Sequence, residues 1–129
     1  MKYEEIHNLK TLNLIIKQEF FDQILAGTKT QEFREVKPTT YKKLIELDED
    51  GYDAEDENGN AIPIKYDAIR FYVGYAKNRD TALVEVLSAT SEIFVDENQE
   101  PIIYEYKGEE WWAQQVTYNL GKVLDKKVK

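Results

Sequence analysis

The sequence predicts an α+β domain that is mainly β: a mixed β-barrel of about six strands, with one or two short helices and an acidic hairpin insertion. Three observations predict it. Apolar residues alternate with period two in several short runs parted by turn residues. A single helical spacing, closed by a glycine, lies between the first two runs. Eight of the 25 acidic residues fall within residues 44–60, which hold no base. Many short strands joined by turns favour closure, because a closed sheet has no exposed edge. At 129 residues the chain fits one domain, 1–129, around one core, with 44–60 inserted in it.

The elements follow in order. Leu12, Leu14 and Ile16 alternate as a half-buried strand. In Glu19 to Ala26 the residues Phe20, Phe21, Ile24 and Leu25 recur at helical spacing, and Gly27 stands where a left-handed C-cap is wanted. Thr28 to Val36 reads as a second strand, closed by Lys37-Pro38. Thr39 to Leu47 starts a short helix with Thr39 or Thr40 as N-cap. Asn58-Gly59 is a strong two-residue turn signal, so the acidic segment reads as a protruding hairpin. Asp67 to Tyr75, Thr81 to Phe94, Ile102 to Lys107 and Gln115 to Leu124 supply the remaining strands. Glu109 to Gln114 suits either a helical turn or a strand extension. No internal repeat stands out, and His7 reads as an exposed residue in a loose N-terminal segment.

Composition excludes several functions. There are no cysteines and one histidine, so disulfides, thiolate or multi-histidine metal sites and a Cys nucleophile are ruled out. No metal and no cofactor is expected. The acidic stretch fails as a calcium loop: counted from Asp56, the sixth residue is Ala61 where glycine is required, and the twelfth is Asp67. Neither a P-loop nor a dinucleotide fingerprint occurs. No apolar run approaches the ~20 residues of a membrane span, so no membrane partner is expected. The N-terminal ten residues carry acids and lack an export core, which makes a cytoplasmic location the default.

The net charge of −8 is concentrated in 44–60, whose own balance is −8, while 1–43 stand at +2 and 61–129 at −2. A near-neutral body disfavours broad duplex DNA binding and leaves small anionic or nucleoside-type ligands open. The acidic hairpin would repel phosphates, and residues 48–58 would suit a basic protein partner.

The most informative run is Ile24 to Val36, ILAGTKTQEFREV. On a strand Thr30, Glu32 and Arg34 share one face, and Gln31, Phe33 and Glu35 the other. Lys29 stands at the strand entrance. Such groups form either a solvated ion pair of little worth or a ligand clamp. In a clamp, Arg34 forks to a phosphate or base edge, Glu32 accepts from an amine or hydroxyl, and Lys29 supplies a point charge. The eight tyrosine and tryptophan residues beyond position 60 are mostly core material; the adjacent pair Trp111-Trp112 places at least one ring near the surface.

The strand–helix–strand opening with a glycine-led GxKxxExR run (Gly27, Lys29, Glu32, Arg34) resembles the ASCH domain family of the PUA-like superfamily. The closing stretch TYNLGKVLDKK is similar to the way such domains end. The resemblance implies a PUA-like barrel and binding of RNA or a modified nucleoside beside this run, with Lys29, Thr30, Glu32 and Arg34 as ligand-binding residues. One branch of that family is amidohydrolases acting on acetylcytidine, which would make Lys29 and Glu32 catalytic. In that branch a threonine occupies the position of Glu32, so the hydroxyl nucleophile is replaced here. Glu85 is the candidate for the distant proton donor.

Overall fold

The computed structural model describes residues 3–129. Its elements are α1 (Tyr3–His7), β1 (Thr11–Ile16), α2 (Gln18–Ala26), β2 (Gln31–Val36), α3 (Tyr41–Leu44), β3 (Ala68–Val73), β4 (Thr81–Ile93), β5 (Ile103–Tyr106), β6 (Glu109–Trp112) and β7 (Gln114–Lys127). The chain is mainly β with a mixed sheet, as expected. Five strands run in the order β1-β3-β4-β7-β2, and β5 pairs with β6 alone. β1 lies parallel to β3, and β3 antiparallel to β4. The strand order has two ends, β1 and β2, and does not close into the barrel expected. Closure was inferred from strand number, which says nothing about whether the end strands meet.

The chain divides into two compact units. The first comprises the residues to Glu32, Lys65–Ser88 and Tyr118–Lys129; the second comprises Phe33–Ile64 and Ala89–Thr117. The first has a largely apolar core. Leu12, Leu14 and Ile16 are buried, as their alternation requires, and Ile69 and Phe71 on β3 are fully buried. Phe21 and Ile24 make the apolar stripe of α2. Tyr118 is the largest fully buried side chain.

The second unit is built on turns. α3 is shorter than the sequence suggests: it stops at Leu44, and Ile45 is extended and completely buried. Pairing begins at once, with Ile45 bridged to Pro63, because ladder bonds outweigh the weak helical preference of so short a run. Thr40 stands at the N-cap position without capping; its Oγ1 accepts from Lys37 N at 3.0 Å and donates to Glu35 O. The acidic segment is a pair of successive hairpins rather than one. Bridges join Ile45 to Pro63, Leu47 to Asp53 and Glu55 to Ala61. Ser91 Oγ donates to Ala61 O, tying the second hairpin to β4.

An internal repeat emerges that the sequence reading missed. Asp48, Asp56 and Asp96 each open the same five-residue turn. In each, the Asp Oδ1 accepts from the backbone N–H two and four residues on, at 2.8–3.0 Å. The fourth residue is left-handed every time: Gly51 at φ 85°, Gly59 at φ 80° and Gln99 at φ 65°. The shared text is Asp-Glu-Asp/Asn, too short to register as a repeat. A further hairpin turn, Lys107-Gly108, has positive φ at both residues and joins β5 to β6, which resolves the ambiguous Glu109–Gln114 stretch as strand.

At the N-terminus, α1 replaces the loose segment expected, with His7 exposed in its last turn. Among the described residues no helix is long and apolar enough to cross a membrane, and no group of acidic or histidine side chains could hold a metal ion.

Candidate functional site

The site run begins where α2 ends. Gly27 takes φ 80° and donates to Ile24 O at 3.1 Å. The Gln23 carbonyl then accepts three bonds, from Thr28 N at 3.0 Å, Lys29 N at 3.1 Å and Thr28 Oγ1 at 3.3 Å. These bonds hold Thr28 and Lys29 in the helix terminus, so β2 starts at Gln31 and not at Thr28 as the sequence suggested. Lys29 is thereby fixed at the strand entrance.

Its ammonium donates to Gln31 O at 2.6 Å and lies 3.8 Å from Glu32 Oε1. The ring of Phe20 is 5.7 Å away, within cation–π range. Glu32 is buried, with 9% of its side chain exposed against 16% for Lys29. A carboxylate is rarely so enclosed unless it is paired. β2 reads exposed–buried–exposed–half-buried–exposed–buried, so Glu32, Arg34 and Val36 occupy its inner face and Gln31, Phe33 and Glu35 its outer face. This is the facing expected from strand alternation.

Lys29 and Glu32 therefore meet, and Arg34 follows half-buried on the same strand face. Thr30 does not join them: it precedes β2, is exposed, and contributes its carbonyl, which accepts from Leu120 N at 2.9 Å. On the outer face Gln31 Nε2 donates to Asn119 Oδ1, and Asn119 Nδ2 donates to Ser88 Oγ. Thr28, beside Lys29, has its hydroxyl donated to Gln23 O and so is a poor replacement for the expected hydroxyl nucleophile. Glu85, the candidate proton donor, has its Oε1 on Lys122 N at 3.3 Å. Its carboxylate serves the backbone of β7.

Sequence reasoning counted the tyrosines without locating Tyr104. This residue and Tyr106, two apart on β5, line a cavity of about 240 Å³ with Glu35, Lys37, Pro38 and Thr39. The Tyr104 hydroxyl is shut from solvent and has no hydrogen-bond partner among the described residues. Burial, followed by the Glu35 carboxylate, raises its pKa above the ordinary 10.0. The available signal was the i, i+2 spacing of the two rings in a predicted strand.

No protein-family model, curated protein or solved structure matches the chain.

Proposed function

We propose that the chain is an ASCH-like, PUA-like module of the cytoplasm that binds RNA or a modified nucleoside beside the Gly27–Arg34 run, through an open sheet and not a closed barrel. The observation carrying this reading is the enclosed Glu32 carboxylate with the Lys29 ammonium beside it. A pair this sheltered contributes little net stability over an apolar pair of like volume, which favours a role in recognition over one in stability. Glu32 accepts from an exocyclic amine or ribose hydroxyl, and Lys29 provides the cation for a neighbouring phosphate. Arg34, on the same strand face, adds a planar fork for a base edge or phosphate.

The experiment is a thermal-shift screen with nucleosides, acetylated nucleosides and short RNA, combined with product analysis. A ligand at about one hundred times its Kd stabilises by about 2.7 kcal/mol, a rise of several degrees. That rise disappears in Lys29→Ala and Glu32→Gln. If no member of the screen shifts the melting of the wild-type chain, the reading fails. Release of an acyl product would instead give Lys29 and Glu32 a catalytic role with water as the nucleophile.

A further inference from the structure

The second unit contains a cavity of a different kind. It measures about 260 Å³ and is lined by Asp53, Glu55, Glu110, Trp111, Trp112 and Gln114, with Ala61 among its apolar contacts. Three carboxylates and no lysine or arginine border it. Gln114 is 8% exposed, and its Nε2 reaches Asp53 Oδ2 at 3.4 Å. Its Oε1 meets no donor among the described residues. Trp111 is steadied by a tilted contact with Tyr41, ring centroids 5.3 Å apart, and Trp112 is 48% exposed.

Each feature narrows the occupant. Three carboxylates set the charge of the lining, so a donor-rich cation fits, and the buried Trp111 Nε1, which has no hydrogen-bond partner among the described residues, suits a peptide that also brings carbonyl acceptors. The carboxylates do not converge on a point, because no three of the described acidic groups lie close enough to hold a metal ion. They suit a charge spread over several atoms. Indole faces attract cations, and a guanidinium stacks on them better than a hydrated ammonium does. The volume falls below the ~300–1,000 Å³ typical of cofactor pockets and matches one long side chain. The adjoining acidic hairpins, with eight acids in 44–60, set up the field that draws a cation in.

We propose that this cavity is a docking pocket for an arginine side chain of a basic peptide segment: the guanidinium lies on the tryptophan wall and donates to Gln114 Oε1 and the surrounding carboxylates. This is independent of the nucleoside reading, since none of its residues belongs to the Lys29–Glu32 pair.

Both tryptophans of the chain line the cavity, so their fluorescence and indole resonances report on it. The test titrates the full chain with acetyl-Gly-Arg-Gly-amide and with the same peptide carrying citrulline, which keeps the shape and loses the charge. A saturable change with the arginine peptide is expected, at least tenfold weaker with citrulline and progressively weaker as salt rises. The double variant Glu55→Gln/Glu110→Gln, both positions exposed, loses tenfold or more in affinity while its unfolding curve stays that of the wild type. Trp112→Leu, followed through the Trp111 indole resonance, loses binding too. An absent response at millimolar peptide, equal binding of citrulline, or undiminished affinity in either variant overturns the proposal.

Discussion

The carboxylate of Glu85 on β4 lies against the Cα of Gly121 on the adjacent strand β7, in the space a Cβ there would fill. The same oxygen accepts from Lys122 N at 3.3 Å. Glycine weakens a strand interior, and here its cost secures room for a polar side chain across the ladder.

Gly121→Ala should therefore destabilise the chain by about 1 kcal/mol, because the flexible Glu85 and Leu87 ends must shift. In a Glu85→Ala background the same change should become neutral or stabilising, since alanine gains up to ~1 kcal/mol over glycine in a strand. Urea unfolding of the four chains of this cycle measures the coupling.

The three aspartate-led turns make a graded prediction. Removing the Oδ1 acceptor in Asp48→Ala, Asp56→Ala or Asp96→Ala should cost about 0.5–2 kcal/mol each by denaturant midpoint, whereas asparagine preserves most of it. The third turn holds Gln99 where the others hold glycine. Gln99→Gly should stabilise by about 1 kcal/mol, and Gly59→Ala should destabilise by about 1–2 kcal/mol.

Lys29 and Glu32 should show strong mutual dependence. Each single alanine variant leaves one sheltered charge without its neighbour, at a cost of roughly 1–3 kcal/mol. Removing both should cost less than the sum of the singles. Additive effects would mean that the two groups do not sense each other.

Alkaline pH provides the fourth prediction. Burial raises the pKa of Tyr66, and burial with Glu35 raises that of Tyr104, from 10.0. A phenol with a higher pKa when folded holds its proton more tightly in that state, so its contribution is complete below about pH 10. It is lost as pH climbs through the folded values. Tyr104→Phe should flatten that decline while leaving stability at pH 7 unchanged or improved, because it removes a hydroxyl without a partner. Denaturant midpoints between pH 7 and pH 11 give the comparison.

Local chemistry was legible in the sequence wherever a residue type dictates a backbone conformation. Gly27 marked the end of α2, Asn58-Gly59 marked a turn, and the alternation in Leu12–Ile16 gave the buried face of β1. Strand alternation also placed Glu32 and Arg34 on one face of β2. What escaped depended on distant partners. Whether β1 and β2 meet is a property of five strands together, which no local pattern encodes. The end of α3 at Leu44 is set by ladder bonds such as Ile64 N to Leu44 O, spanning 20 positions. The acceptor-lined cavity joins residues from the acidic hairpins to Trp111 and Gln114, and its identity lies in that assembly alone.

β2 ends the strand order and has β7 as its one ladder neighbour. Opening it breaks a single row of bonds, whereas opening β4 or β7 breaks two. Amide exchange should accordingly run faster in β2 than in either of them, and the residues from Gln31 to Val36 should fray before those of β4 and β7. The Glu32 region thus rides on one of the sheet's two singly paired strands, and an occupant bound there would register first as slowed deuterium uptake along that edge.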